Sequence, residues 1–316
     1  MPAPHIVVFS DDASMPPSHH AKQDKGKAPQ GYHQRTLTLA AQQHRLTIAW
    51  MPYRCCVFNT HSPYGLSIDD GDSERLPRAV FARFIAAGSL QELTFSLSVL
   101  HAFTACGVPV LNQARTIERT VDKGLCAHIL QRHHIPIPLS ITCASPQHIH
   151  AIRQTYPLKT FVYKPLFGAQ GKGLQKIRPN DPIPQQKDTQ GVWHMQEYIE
   201  SDAEQGWFQD WRVFIVDGKI VSMMRRKSRT WITNVSQGAL CIPDYDHDIG
   251  ATALNAARCL LTDYAGIDII RNRQKRPLVL EVNSIPAWQG IEQKTTPKIA
   301  ASLITMAKKR MEDPSR

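Results

Sequence analysis

The spacers between the apolar runs of this chain change in kind along its length, and that change limits the available folds more than any other feature. Up to about residue 115, the runs Ile6–Phe9, Val80–Ile85 and Val108–Leu111 are parted by segments long enough for helices. Leu37 to Ala49 and Ser89 to Cys106 are predicted helices, and in the second of these Leu93, Leu97 and Leu100 recur at helical spacing. Strands alternating with helices predict an α/β layer over residues 1–115. Further on, the runs Trp193–Ile199, Trp211–Val216 and Lys219–Met224 follow one another closely. Asp217–Gly218 joins the last two as a tight hairpin, and a basic turn joins Ile267–Ile270 to Leu278–Val282.

Between these regions Thr120 opens a predicted helix, with Asp122 in its first turn, that runs to about His133, where Pro136 and Pro138 follow. Phe161–Lys164 reads as a strand, Asn180 to Gly191 as a polar connector, and Ala251 to Tyr264 as a helix. Residues 10–34 are polar and rich in Pro, Lys and His, with little to bury, so they are expected to form a flexible insertion.

The formal net charge of +10 raises the question of nucleic acid. The excess is spread along the chain, and no basic helix, zinc module or aromatic platform accompanies it, so a nucleic-acid partner is not expected. No membrane partner is expected either. The uncharged stretch from Leu93 to Leu111 contains Ser96, Ser98, His101, Thr104, Gly107 and Pro109, too polar and broken for a spanning helix. The apolar start is four residues long and runs into Asp11 and Asp12, unlike a secretory signal. Seven cysteines without a CxxC pair read as reduced thiols of a cytoplasmic protein.

Three clusters carry potential chemistry. The loop Gly168–Ala169–Gln170–Gly171–Lys172–Gly173 follows a strand and lets backbone amides approach a phosphate, although it fits neither a Walker loop nor GxGxxG. A flexible hairpin is an equal reading of it. In the second cluster, strand alternation puts Glu281 and Asn283 on one face and Leu280 and Val282 on the other, and a neighbouring strand could bring Asp268 alongside. Oxygen donors of this kind suit Mg²⁺, while a solvated acidic strand is the plainer alternative. The third is Arg225–Arg226–Lys227–Ser228–Arg229, followed by Asn234. Such a run is either a solvated face or a clamp on an anion. Arg271, Arg273, Lys275 and Arg276 form a further basic turn, for which solvation is expected.

Taken in order, these segments resemble the ATP-grasp superfamily, and within it the RimK-like α-L-glutamate ligases. The matching stretches are Thr120–Lys123, Val162–Pro165 with its glycine loop, Gln196–Ile199 and Asp210–Arg212. Further on come Met224–Lys227, Thr233–Asn234, Ala265–Asp268 and Glu281–Asn283. The resemblance covers roughly residues 105–295. One departure stands out: the family commonly has Arg two residues before the Asn, and here that position is Ile232, for which Arg229 or Arg226 could substitute.

The resemblance implies an α/β N-terminal (pre-ATP-grasp) domain over 1–115, followed by an ATP-grasp α+β fold of two lobes, a central one over 116–196 and a C-terminal one over 197–316. It implies that Lys123, Lys164, Gly168, Gln170 and Gly171 contact ATP phosphates. Gln196, Glu197, Tyr198 and Ile199 would form the adenine hinge, with Asp210 near the ribose. Asp268, Glu281 and Asn283 would hold two Mg²⁺ or Mn²⁺ ions. Arg212, Arg225 and Asn234 would line the transfer region. The implied activity is ATP-dependent ligation of L-glutamate to an anionic small-molecule or protein carboxylate acceptor through an acyl phosphate. The branch acting on one-carbon cofactors such as tetrahydromethanopterin is the nearest in character. Homo-oligomers are common in the family. The alternative is an ATP-grasp nucleotide-binding protein with a sensor or scaffold role and no ligation.

Overall fold

The computed structural model describes residues 5–10, 31–68, 75–85, 89–166, 173–288, 290 and 299–313. The chain groups into two compact units. The first comprises Met1–Ile117, Thr262–Tyr264 and Ile285–Arg316, and the second Glu118–Leu261 and Ala265–Ser284.

The first unit opens with β1 (Ile6–Phe9), α1 (Gly31–Gln43) and β2 (Ile48–Met51). A small hairpin follows, β3 (Cys56–Phe58) with β4 (Leu66–Ile68). Next come β5 (Ala79–Ala82), α2 (Leu90–Ala105), β6 (Val110–Leu111) and α3 (Ala114–Val121), the last of which crosses the boundary between the units. β1 pairs in parallel with β2 and with β5, and β5 with β6, giving the order β2-β1-β5-β6. β1 and β5 are buried at all four positions, as continuous apolar runs covered on both faces should be. α2 begins at a capping box: the Ser89 hydroxyl accepts from the Glu92 amide at 3.2 Å, and the Glu92 carboxylate accepts from the Ser89 amide at 2.8 Å.

α1 begins earlier than the polar reading of residues 10–34 allows. Gly31 to Gln34 are its first turn, because Leu37, Ala40 and Ala41 give the helix a buried face. Residues 11–30 lie outside the described residues. Ile48 and Ala49, expected at the end of this helix, open β2 instead.

In the second unit, α4 (Lys123–Arg132) follows α3. The single helix expected from Thr120 is therefore two, and Asp122 is the reason. Its side chain accepts from the amides of Gly124 at 2.8 Å and Leu125 at 3.0 Å, so it caps a new helix instead of continuing the old one. Gly124 is required there, since a Cβ would lie 2.7 Å from the Thr142 hydroxyl.

Then come β7 (Ser140–Cys143), α5 (Pro146–Thr155), β8 (Phe161–Tyr163), β9 (Gln175–Ile177) and β10 (Trp193–Glu197). They form an antiparallel sheet of order β7-β10-β8-β9 with α5 against it.

The chain continues with β11 (Phe208–Val216), β12 (Lys219–Ser228) and β13 (Leu240–Pro243), then α6 (His247–Cys259), β14 (Tyr264–Arg271) and β15 (Pro277–Asn283). The second sheet runs β13-β12-β11-β14-β15. Asp217 and Gly218, both at positive φ, make the tight turn between β11 and β12. α4 and α6 pack on this sheet over a core that includes Val213, Ile215, Ala253, Ile267, Val279 and Val282.

Residues 285–316 group with the first unit, not with 197–284. The cause is α7 (Ile299–Glu312), whose buried face, including Leu303, Ile304 and Ala307, packs on α1. Among the described residues, no helix is long and apolar enough to cross a membrane.

Candidate active site

Within the second unit a cleft opens between the antiparallel sheet and the five-stranded sheet, lined by β8, β10, β11, β12, β14 and β15. Lys164 follows β8, and its Nζ donates to Gln196 Oε1 at 2.6 Å. Gln196 is itself buried. Its amide nitrogen donates to the Ser140 hydroxyl at 3.3 Å and to the Leu280 carbonyl at 3.4 Å, tying one sheet to the other. Burial lowers the Lys164 pKa, with the negative charge of Glu281 opposing.

Glu197, Tyr198 and Ile199 carry the chain from β10 along the cleft wall. The Glu197 carboxylate pairs with Lys159, and the Lys176 ammonium lies 3.4 Å from the Tyr198 ring centroid. Beneath them His194 is buried with its Nδ1 2.7 Å from the Thr142 hydroxyl. Burial first, then Lys164 and Lys123, push its pKa down to about 3, so the ring is neutral.

Four charges interlock on the opposite wall. Arg226, 4% exposed, donates to both oxygens of Asp210, at 2.7 and 2.5 Å, and lies 3.1 Å from Asp268. Asp210 also accepts from the Thr233 hydroxyl at 2.7 Å. Asp268 takes two hydrogen bonds from Arg212, the one from Nη2 at 2.9 Å. Burial raises the Asp268 pKa, but Arg212 and Arg226 outweigh it and bring the value down to about 2. For Asp210 burial wins over Arg226 and the pKa is raised. Two carboxylates and two guanidinium groups thus share one dry corner, with Arg226 between the acids.

Asp268 and Glu281 stand directly opposite one another on β14 and β15, with Asn283 two residues further along. Among the described residues, no group of three or more His, Cys, Asp or Glu side chains is gathered for a metal. The donors here are instead two carboxylates and a carboxamide, the hard oxygens that suit Mg²⁺ or Mn²⁺. The Asp268 oxygens have about four lone-pair directions. The contacts from Arg212 Nε and Nη2 and from Arg226 occupy three of them, leaving room for one more bond. Glu281 is the more available ligand. Its side chain is 39% exposed, and Lys123 lies 3.9 Å away. The residues present therefore fit a divalent cation.

The alternation expected along β15 fails at one point. The register slips between Asp268 and Ile269, leaving Leu280 as an extra residue. Val279 and Val282 fill the core, while Leu280 joins Glu281 in lining the cleft.

The cleft lining includes Lys164, Gln196, Glu197, Tyr198, Ile199, Asp210, Asn234, Asp268 and Glu281. Lys123 lines a smaller adjoining cavity with His194, Gln196 and Glu281, and its Nζ donates to the Leu166 carbonyl at 3.1 Å. Asn234 caps a short turn of 3₁₀ helix over Val235–Gln237, accepting from the Ser236 amide at 3.4 Å. Gly168, Gln170 and Gly171 lie outside the described residues.

Arg225 does not line the cleft. It alternates with Arg226 along β12 and pairs with Asp244 at 3.3 Å. Of the two stand-ins for Ile232, Arg226 lies in the cleft, whereas Arg229 stacks on Trp207 at 3.8 Å. In the basic turn after β14, Arg273, Lys275 and Arg276 are exposed as expected, and Arg271 is the residue of the four that is drawn in. Arg271 donates to both oxygens of Asp246 at 2.6 Å, and Arg273 lies 2.6 Å from Glu200.

A family model described as a RimK-like ATP-grasp domain matches residues 120–307. The tetrahydromethanopterin:alpha-L-glutamate ligase of Methanococcus maripaludis is 31% identical over 209 residues, which cover 63% of this chain and 69% of that protein. A probable alpha-L-glutamate ligase of Parasynechococcus marenigrum is 31% identical over 228 residues, 69% of this chain and 47% of that longer protein. Among solved structures, the ATP-grasp ligase PsnB complexed with a phosphomimetic variant of its minimal precursor, Mg and ADP superposes with a TM-score of 0.69. That match covers 98% of this chain and 99% of the other at 15% identity, a likeness of fold.

Proposed function

Since the chain belongs to the RimK-like ATP-grasp family, we propose that it is an ATP- and Mg²⁺-dependent carboxylate–amine ligase that adds L-glutamate to an anionic carboxylate acceptor. The observation that carries this reading is the gathering of Lys164, Arg226 and the facing carboxylates Asp268 and Glu281 in one cleft, with Arg212 hydrogen-bonded to Asp268 from outside its lining. The names of the relatives quoted above support glutamate as the amino acid added.

A carboxylate is a poor electrophile. Transfer of the γ-phosphoryl group of ATP makes an acyl phosphate and ADP, the amine of glutamate attacks the acyl carbon, and phosphate leaves with the new amide formed. Positioning and charge balance dominate such a transfer. Lys164 and Lys123 face the phosphates, and the strand end Gln196–Ile199 faces the adenine. Asp268, Glu281 and Asn283 would hold the divalent cations, two on this reading, whose charge would offset that of the phosphates. Arg212 stabilises the anionic oxygens of the transfer and of the tetrahedral intermediate, while Arg226 braces Asp210 and Asp268. Asp210 and Thr233 act as positioning residues that aim Arg226. The cysteines stand as thiols, the state a reducing compartment maintains, and we assign the protein to the cytoplasm.

The test is ADP release with ATP, Mg²⁺, L-glutamate and a panel of carboxylate acceptors, with products weighed by mass spectrometry. The expected result is release that depends on both organic substrates, with a product heavier than the acceptor by one glutamyl residue. Release that stays flat across the whole panel would sink the ligase reading.

A further inference from the structure

The first unit contains a half-buried cation, Arg83, whose Nε and Nη1 are closed off from solvent and which the chemistry above leaves unused. Arg83 is the first residue after β5, and Ser10 the first after β1. Phe9 and Ala82 pair in the last register of the parallel ladder, and the Arg83 amide donates to the Phe9 carbonyl at 2.9 Å. Ser10 and Arg83 therefore stand side by side at the carboxyl edge of the sheet. β2 lies on one side of β1 and β5 on the other, so the strand order reverses between β1 and β5. The crevice outside the carboxyl ends at such a reversal is where open parallel sheets bind ligands.

The side chains there are short of partners. The Arg83 guanidinium sits over the fully buried Trp288 ring, its Cζ 4.5 Å from the centroid, and the His33 ring meets the same indole edge-on at 4.3 Å. The Tyr264 hydroxyl accepts one guanidinium hydrogen bond. Nε and Nη1 of Arg83, Nδ1 of His33 and Oγ of Ser10 are closed off from solvent and have no hydrogen-bond partner. Among the described residues no carboxylate pairs with Arg83. Burial lowers the Arg83 pKa, and it takes His33, with Arg83 contributing, down to about 3, so His33 is neutral and adds no second cation. Leaving a guanidinium buried with open donors is costly, and an anion is the remedy.

We propose that Arg83, Ser10 and His33 form a receptor for the carboxylate of a substrate. Arg83 supplies the charge and two donor directions, and Ser10 supplies a hydroxyl. His33 supplies a neutral ring nitrogen that takes whichever role the ligand's second polar group requires. The indole of Trp288 forms an apolar floor. The site stands on the geometry of the first unit, but calling its ligand a substrate rests on the ligase reading. Two sources share this chemistry, the amino acid that is added and the acceptor that receives it.

The test is calorimetric titration of the full chain with L-glutamate and, separately, with glutarate, which has the same carboxylates and no amine. We expect the wild type to bind at least one. Binding of glutamate alone assigns the site to the amino acid, and comparable binding of glutarate assigns it to an acceptor carboxylate. Arg83→Met is expected to weaken that binding at least about tenfold, the worth of one charge-assisted hydrogen bond. Ser10→Ala is expected to weaken it about threefold. Binding of Mg²⁺·ADP should be unchanged in both variants. The proposal is overturned if neither compound binds the wild type or if Arg83→Met binds with unchanged affinity. Should Arg83→Met fail to fold, wild-type affinity in Ser10→Ala overturns it. ADP release separates the two readings: release with an unaltered Arg83→Met titration removes the receptor and keeps the ligase, and the reverse pattern keeps the receptor alone.

Discussion

Arg226 in the second unit and Arg83 in the first both hold guanidinium nitrogens away from water, and their company differs. Arg226 lies between Asp210 and Asp268, with its donors satisfied inside the fold. Arg83 lies on an indole with two guanidinium nitrogens unmet. A buried cation matched by the protein's own acids costs little beyond desolvation already offset, and it fixes the geometry of what surrounds it. One left unmatched keeps its donors for something that arrives later. The same residue type thus acts as a brace in one unit and as a receptor in the other.

The largest expected effect would break that contrast if it failed. Arg226→Met should lower the unfolding free energy by about 3–5 kcal/mol, because it strands the buried Asp210 carboxylate and leaves Asp268 to Arg212 alone. Arg83→Met should leave it within about 1 kcal/mol of the unliganded wild type or raise it, because no acid loses a partner. Urea unfolding of the two variants compares them directly, and equal losses would mean that both arginines are braces.

Next in size is Glu281→Ala. Turnover is expected to fall by about a hundredfold or more while the protein stays folded, since a ligand for the phosphate-bound cations is removed and no buried pair is broken. Steady-state kinetics alongside circular dichroism check this, and near-normal turnover would refute the assignment.

A pH titration sharpens the comparison further, since among the described residues His33 in the first unit and His194 in the second are neutral histidines whose pKa is pushed down to about 3. In the unfolded chain they titrate at about 6.5. Between those values the unfolded state binds more protons, so stability should be lost as pH falls from about 6.5 towards 3. His194→Gln should flatten part of that slope in chemical-denaturation curves taken across the window, and an unchanged slope would contradict a neutral His194.

The smallest effect belongs to Arg225→Ala. With its side chain on the far face of β12 against Asp244, the substitution should change turnover by less than about threefold, the worth of a half-exposed ion pair. A loss on the scale of Glu281→Ala would place Arg225 in the transfer region after all.

The sequence disclosed the second unit better than the first, and for local reasons. Strand periodicity, the Asp217–Gly218 turn and the spacing of Asp268, Glu281 and Asn283 are short-range signals, and the structure sets Asp268 opposite Glu281 as that spacing suggested. What escaped depends on pairing between distant segments. The bulge at Leu280 exists only because β15 slips against β14, so alternation along one strand assigns Leu280 to the wrong face. In the run Arg225–Arg229 nothing marks Arg226 as the inward residue until β12 has a neighbour carrying Asp210. Asp122 looks like a first-turn residue in the sequence, although its side chain caps a new helix. Ser10, His33 and Arg83 are separated by long intervals of sequence; the register of β1 with β5 brings Ser10 beside Arg83, and the Trp288 indole brings His33 to Arg83. No motif could have signalled that site.

The most direct test of the central claim uses an acceptor whose carboxylate carries ¹⁸O, incubated with ATP, Mg²⁺ and L-glutamate, with the released phosphate analysed by mass spectrometry. Activation through an acyl phosphate transfers one labelled oxygen to phosphate for every glutamyl product formed. Product formation with unlabelled phosphate, or ATP consumption without any glutamyl product, would contradict it.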